Sequence, residues 1–341
     1  MSTLLAPFRM AADMAEQPAI LRRFVARRAG LHVQIGRVAP REMTGIAFVG
    51  RGSSANAATV GKVMVELATG RPAIMVSPSL DRLYDAHTDY RRWLAVGLSL
   101  SGRTPEVATT LRDLHDRGAV TVAITDDGDS VLADAADLTI WLGTGPEGAV
   151  PTTKGFTTQL ATLVVLAEAL GDCALPLEAW TAVADCTQKV LDDFATAERA
   201  ARALESVQHV SVVGAGAYVG IADEVALKFE EASLVAASAH SSASYRHGPI
   251  AMAGAGHPLV AVVGPGRAGA ETSALAADVA ARGAPVTVIG DGGTLPLPCR
   301  LPEWLAAIPT VIRGQQLALA LAAARGLDPD EPPRLSKVTL T

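Results

Sequence analysis

Lysine is scarce in this 341-residue chain: only Lys62, Lys154, Lys189, Lys228 and Lys337 stand among 29 basic residues, and the rest are arginines. Where arginine supplies almost every surface cation, a lysine is weighted toward amine chemistry, which a guanidinium cannot supply. Cysteine is scarcer still. Cys173, Cys186 and Cys299 are odd in number and show no CxxC spacing, so the pattern offers neither a disulfide framework nor a zinc site, and three buried thiols are expected. The net charge of -6 and the pI near 5.7 leave no basic stripe for a nucleic-acid partner. An apolar run of the roughly 20 residues needed to span a bilayer is missing too; "LATLVVLAEAL", 160–170, meets a charge within about a dozen residues. The arginine pairs at 22–23 and 27–28 follow no apolar block and precede no small-residue cleavage pattern. These absences lead to the expectation of a soluble, cytoplasmic protein without a membrane or nucleic-acid partner.

What is present is a globular composition, 49% hydrophobic and 19% charged, in a chain long enough for two domains. Runs rich in Val and Ile alternate with helical patterns, the signature of a parallel sheet covered by helices. The first half predicts strands at "GIAFVG" (45–50), "PAIMVS" (72–77), "RWLAVGLS" (92–99), "AVTVAIT" (119–125) and "DLTIWL" (137–142). Helices are predicted to begin near Ala55, Pro105 and Ser130, with a long one over 153–170. The second half predicts strands at 209–214, 258–264 and 285–290, with helices near 220–233, 268–282 and 311–325. A further helix over 178–205 bridges the halves. The segments "VGRGSSANAATVGKVMVELA" (49–68) and "VGAGAYVGIADEVALKFEEA" (213–232) superpose at a constant offset of 164. Each reads as strand, glycine turn and helix, so two copies of one α/β unit account for nearly the whole chain.

In an open parallel sheet, ligands bind beyond the carboxyl ends of the strands, where helix N-termini direct their free N–H groups. Three hydroxyl-rich loops end strands of the first half: "GRGSSA" (50–55), "SLSGRT" (99–104), and "PTTKGFTT" (151–158) at the head of the long helix. Ser99, Ser101 and Thr104 with Gly102, just before a helix opened by Pro105, combine short donors, close backbone approach and positive helix end, as a phosphate monoester requires. Each loop taken singly is also an ordinary N-cap or turn; three together favour a site. "GRGSSA" does not read as a dinucleotide fingerprint, because the second strand runs into "VSPSL" and the first acid follows only at Asp81. In the second half, Glu224, Lys228 and Glu231 share one helical face by i, i+4 and i+7 spacing. From spacing alone the expectation there is a solvated ion-pair ladder. "HSSASYRHGPI", His240 to Ile250, sets a histidine beside Arg246 after small hydroxyls and before Gly-Pro; read alone it is a surface loop capping a strand.

From "MAEQPAI" (14–20) through "GRGSSANAA", "SLSGRTPEV", "PTTKGFTTQLATL", "EVALKFEEAS" and "RHGPIAM" to "LSKVTLT", the chain resembles the tandem sugar isomerase (SIS) domain proteins. Within them it is most similar to the isomerase half of glutamine:fructose-6-phosphate amidotransferase and to stand-alone aminosugar-phosphate deaminase/isomerases. The resemblance implies two tandem SIS domains, each a flavodoxin-like, doubly wound parallel sheet flanked by helices. They would lie at 41–175 and 176–330, between a helical N-terminal segment (1–40) and a tail (331–341). It implies Ser99, Leu100, Ser101 and Thr104 around the phosphate and Ser53, Ser54, Val150 and Thr152 along the sugar, with Ser336 also contributing to binding. Glu231 would move a proton between C1 and C2, a role that suits a carboxylate raised toward neutrality by burial. Lys228 would order the site. His247 would open the sugar ring, as suits an imidazole, and would do so across the interface of a homodimer. Lys337 would form an imine with the open-chain ketose, which only an amine can do. No cofactor and no metal are implied.

Two positions depart from the family pattern: Leu100 stands where a glutamine is usual, and Ser244 where a glutamate precedes the histidine by three residues. With no glutaminase domain and no nucleophilic cysteine near residue 1, the expected chemistry releases ammonia: glucosamine 6-phosphate to fructose 6-phosphate. The alternatives are an isomerase or deglycase for another C6-phosphorylated sugar, and a non-catalytic sugar-phosphate sensor. Retention of Glu231, His247 and Lys337 and the lack of a basic helix-turn-helix segment favour an enzyme over the sensor.

Overall fold

A computed structural model describes residues 8–78, 83–84 and 88–337; residues 1–7, Asp81 and residues 338–341 of the expected tail lie outside this set. The chain divides into two compact units. One comprises residues 1–22, 147–157 and 176–337; the other comprises 23–146, 158–175 and 338–341.

The unit built mainly from residues 23–146 contains strands β1 (Gly45–Gly50), β2 (Ala73–Met75), β3 (Trp93–Leu98), β4 (Val120–Thr125) and β5 (Leu138–Trp141) in one sheet of order β2-β1-β3-β4-β5. All four pairings are parallel. β1 is buried at every position and β3 and β4 at all but their first, which is why each reads as a continuous apolar run rather than an alternation. Helices α2 (Ser53–Thr69) and α3 (Pro105–Asp116) follow β1 and β3. The Val107, Leu111 and Leu114 face of α3 packs against Ala47, Val49, Ala95 and Ala123 of the sheet. Helix α1 (Arg9–Val38) and the long α4 (Lys154–Leu170) run from one set of residues into the other along the chain. The helix expected near Ser130 is only a single 3-10 turn, Ala133–Ala135. Residues 126–132 are turn and bend, closed by the Ser130 hydroxyl donating to the Asp127 carbonyl, and they leave little length before β5.

The other unit repeats the plan. Its strands β6 (His209–Gly214), β7 (Ala236–Ser241), β8 (Leu259–Val262) and β9 (Val286–Ile289) form a parallel sheet of order β7-β6-β8-β9. Helix α7 (Tyr218–Ser233) follows β6, so the 164-residue offset carries β1 onto β6 end to end. The helix expected over 178–205 is two, α5 (Leu177–Asp192) and α6 (Phe194–Arg202), broken at Asp193. Arg313 of the buried helix α10 (Glu303–Ala324) holds that break: its guanidinium donates to the carbonyls of Val190 and Asp193 and to the Asp193 carboxylate. Carbonyls freed where a helix ends need such partners. A short helix α8 (Ser242–Arg246) follows β7, and α9 (Gly266–Ala281) follows β8.

The expectation that no run is long and apolar enough to span a bilayer is corrected: helix α10 meets that length and composition, yet it is wholly buried. It packs against α5, α6 and α7, and an all-round apolar helix of this kind is a core element. The expectation of three separate thiols is corrected: Cys186 on α5 and Cys299, in the loop before α10, form a disulfide with a Cα separation of 5.9 Å. Tertiary packing brings together two residues that are 113 apart in sequence, a proximity that no spacing rule reveals. Cys173 is free.

Candidate functional site

In the first sheet β1 and β3 are neighbours although the chain forms β2 between them. Crossovers therefore leave these two strands in opposite directions, and such a switch point opens a crevice at the strands' carboxyl ends. α2 begins three residues after β1 ends and α3 begins after the Ser99–Thr104 loop, so both present first-turn N–H groups with positive partial charge at that edge. Ser99 Oγ and Thr104 Oγ1 lie 3.1 Å apart, and Ser101 Oγ accepts from the Arg103 amide at 3.2 Å. Gly102 has φ 64°, and a Cβ there would fall 2.0 Å from Ser130 Oγ; only glycine fits the turn. Leu100 anchors the loop through its carbonyl, which accepts from the Asp126 amide and Thr125 Oγ1. Ser54 Oγ accepts from Gln159 Nε2 at 2.9 Å with both residues buried, so its own O–H remains for a ligand. Arg51 Nε donates to Glu106 at 2.5 Å, tying the β1 loop, where Ser53 is half-buried, to the first turn of α3.

The α7 cluster corrects the solvated ladder expected from its spacing. Lys228 and Glu224 are fully buried, and the Glu231 side chain is 16% exposed. The Lys228 ammonium pairs with Glu224 at 3.3 Å and also with Glu231. Burial alone would push this amine down, but the two carboxylates outweigh it and hold it above the ordinary lysine value. The face is buried because α7 lies between β6, β7 and α10. At the 164-residue offset, Glu224, Lys228 and Glu231 occupy the places of Val60, Met64 and Leu67 in α2: the first copy of the repeat buries Val60 and Met64 and leaves Leu67 exposed, while the second carries ionisable groups at all three places. Glu231 stands in the last turn of α7, ~20 Å from its N-terminus at 1.5 Å per residue. It is therefore remote from the carboxyl edge of its sheet, where the switch-point rule would direct a search.

The loop ahead of α4 collects a second set. Asp13 accepts from the amides of Gly148 and Ala149 at 2.9 and 3.0 Å and pairs with the buried Lys154. Burial would lower the Lys154 ammonium, but Glu16 and Asp13 raise it overall. Glu147 accepts from the amide and hydroxyl of Thr153. Lys337 reaches this loop: its Nζ donates to Glu147 at 3.1 Å, to Ala149 O at 2.7 Å and to Val150 O at 3.4 Å. Thus Lys337 and Val150 come together, Thr152 is half-buried beside them in sequence, and Ser336 is exposed.

His247 caps the C-terminal end of α8 and is exposed; among the described residues no side chain hydrogen-bonds its ring. Arg246 is occupied by Asp278 at 2.5 Å. Ser244 serves the start of its own helix. Ser241 is the N-cap of α8, its Oγ accepts the Ser244 amide, and its hydroxyl donates to Ser244 Oγ. Three residues past the cap is where a capping-box glutamate would stand, so the departure at Ser244 preserves a helix start with a shorter side chain. Among the described residues there is no group of three or more His, Cys, Asp or Glu side chains that could hold a metal.

The family model of the SIS domain matches residues 42–169 and again 203–302, more than half of the chain. The chain belongs to the SIS domain family. The two matches coincide with the two copies of the repeat, so this is a tandem SIS protein. It is 33% identical over 310 residues to a glutamine–fructose-6-phosphate aminotransferase (isomerizing) of Lactiplantibacillus plantarum, covering 85% of this chain and 50% of that one. The chain spans about half the length of the curated relatives it matches. Among solved structures it is similar to a glucosamine-6-phosphate deaminase of Thermotoga maritima, with a TM-score of 0.81, 25% identity and full coverage of both chains. The C-terminal domain of a glucosamine-fructose-6-phosphate aminotransferase of Francisella tularensis shares the fold, with a TM-score of 0.85 at 23% identity, covering 97% of this chain and 100% of that one.

Residues that sequence reasoning passed over are Glu147, Asp13 and Gln159, each making buried polar contacts with loops already singled out. The run "GPEGAVPTTKG" offered one signal, an acid in an otherwise uncharged loop beside a scarce lysine. Glu224 was visible on its helical face but not as buried.

Proposed function

We propose that this SIS protein isomerises and deaminates glucosamine 6-phosphate, giving fructose 6-phosphate and ammonia. The observation that carries the reading is the α7 cluster: two carboxylates share one buried ammonium, leaving an excess negative charge on the face where Glu231 is partly open. That charge suits a substrate whose C2 bears an ammonium. A neutral ketose gains less from it. The full-length likeness to a glucosamine-6-phosphate deaminase supports the same reading.

The roles follow from chemistry. Ser99, Ser101 and Thr104 with the α3 N-terminus bind the phosphate dianion through hydroxyl and amide donors. Ser53, Ser54, Val150 and Thr152 line the sugar chain, with Ser336. His247, from a second copy in a homodimer, moves the proton that opens the ring. Glu231 takes the C2 proton and returns it to C1, while Lys228, bonded to that carboxylate, fixes its position. The C2 iminium so formed loses ammonia, with Lys337 in the exchange. Neither a metal nor an organic cofactor is invoked. A second reading, another C6-phosphorylated sugar as substrate, is favoured by Leu100 alone, which removes an amide donor from the phosphate loop.

The test is turnover by purified protein without added cofactor, following ammonia and fructose 6-phosphate from glucosamine 6-phosphate beside a panel of C6-phosphorylated aldoses, ketoses and amine adducts. Ammonia and ketose in equal amounts support the reading. Turnover of another panel member with no ammonia from glucosamine 6-phosphate refutes it.

A further inference from the structure

We propose that Glu147 is the positioning residue for Lys337 and the group that takes its proton when the amine attacks substrate; this rests on the role proposed for Lys337 in deamination. The carboxylate of Glu147 is 2% exposed, and its two oxygens serve separate ends. Oε1 accepts from Thr153 N at 2.6 Å, Thr153 Oγ1 at 3.1 Å and Gly155 N at 3.4 Å. It thereby fixes the turn into α4. Oε2 meets Lys337 Nζ at 3.1 Å.

Lys337 Nζ has three acceptors around it. An ammonium has three N–H donors and no lone pair. Those three find Glu147 Oε2, Ala149 O and Val150 O. Before the amine can add to carbon it must lose a proton, and two of its three partners are peptide carbonyls, which accept hydrogen bonds but not protons at ordinary pH. Glu147 Oε2 is the one contacting atom of these three that can take it. Because Oε1 anchors the turn, protonation at Oε2 need not release the loop. The opposite side of the loop is fixed independently, since Asp13 accepts from Gly148 and Ala149, so the carbonyls that cradle the amine stay in place. A base within hydrogen-bond reach on a rigid support is the geometry that proton transfer needs.

The step balances. The Lys337 ammonium gives a proton to Glu147, leaving a neutral amine and a carboxylic acid. The amine lone pair adds to the substrate C2 iminium, forming a C–N bond, and the C–N bond to the original nitrogen breaks as that nitrogen leaves as ammonia. The product is a C2 iminium on Lys337. Water hydrolyses it to the ketone, returning the lysine as ammonium, and the Glu147 proton passes to the departing ammonia.

The experiment is borohydride trapping of fructose 6-phosphate on the full chain, with the modified peptide located by mass and the rate followed from pH 6 to 10. Wild type labels Lys337, and Lys337→Arg, which keeps the ion pair, does not label. Glu147→Gln traps at least tenfold more slowly at pH 7, with half-saturation within about threefold. The deficit closes as pH rises and solvent base substitutes for the carboxylate. Glu147→Asp, which keeps the charge, recovers part of the rate, and thermal unfolding of each variant reports the fold. A deficit equal at every pH, an unchanged Glu147→Gln rate, or no label on wild-type Lys337 overturns the proposal. Ammonia release from glucosamine 6-phosphate is measured separately. Ammonia without trapping refutes this inference and leaves the deaminase reading; Glu147-dependent trapping without ammonia does the reverse.

Discussion

Replacing Lys228 by methionine removes the cation that Glu224 and Glu231 share while keeping a long, unbranched side chain, the type that Met64 supplies at the matching place in α2. The variant thus isolates the electrostatic loss from the volume loss. Glu224 has no exposure and Glu231 little, so neither charge can be rehydrated cheaply. Two carboxylates that touched one ammonium are at most ~6 Å apart, and at an effective dielectric of about 20 their repulsion is about 3 kcal/mol. Breaking a buried ion pair by removing one partner costs about 3–5 kcal/mol, the same range. The pH dependence carries the sign. In wild type the Lys228 value is raised on folding. Its contribution is therefore complete below the unfolded lysine value of about 10.4 and is lost only as pH rises through the folded one. Wild-type stability therefore owes Lys228 no slope between pH 5 and 9. In Lys228→Met the buried carboxylates are disfavoured as anions, so the penalty is full at pH 7 and shrinks as pH falls toward the unfolded glutamate value of about 4.3. Urea unfolding of both proteins at pH 7 and pH 5 measures it, and Glu224→Gln combined with Lys228→Met should recover at least half of the loss. A loss below about 1 kcal/mol at pH 7, or one that is the same at pH 5, would show that the three groups are not a coupled, desolvated cluster.

Ser99→Ala and Ser101→Ala should each weaken sugar-phosphate binding by about 10- to 100-fold, the worth of a hydrogen bond to a charged group, measured by titration calorimetry at fixed salt. His247→Gln should abolish turnover of the ring-closed sugar while shifting stability by less than about 0.5 kcal/mol, as an exposed side chain does; mixing it with inactive Glu231→Gln protein should restore activity if one copy serves the other. Unreduced, denatured protein should take up alkylating reagent at Cys173 alone, and reduction should cost several kcal/mol because the bond closes a loop 113 residues long; three alkylated cysteines without reductant would refute the pairing. Deleting residues 337–341 should stop turnover with little change in thermal unfolding, and a fully active deletion would remove Lys337 from the chemistry.

Where burial on both faces demands it, a strand is written in Val, Ile and Leu, and β1, β3, β4 and β6 were legible to within a residue or two. β7 was not, because the edge strand "AASAHS" is half-exposed and small residues carry no β signal. The start of α10 was hidden by Pro309, which lies inside the helix where a proline ordinarily signals a break. At the site, the hydroxyl loops declared themselves by standing between strand and helix, whereas i, i+4, i+7 spacing is the same for a solvated ladder and a buried cluster. Only packing under α10 decides between them.

The sequence by itself determined the repeat, the parallel α/β class, the two helix N-termini that flank β1 and β3, and the chemical types available at Glu231, His247 and Lys337. These are local properties, fixed by periodicity and by residues close in the chain. The tertiary structure alone decided that Lys228 is dry, that Cys186 meets Cys299, and that Lys337 lies against Glu147, which is 190 residues away. Desolvation and long-range contact depend on what covers a group, and a one-dimensional pattern does not contain that.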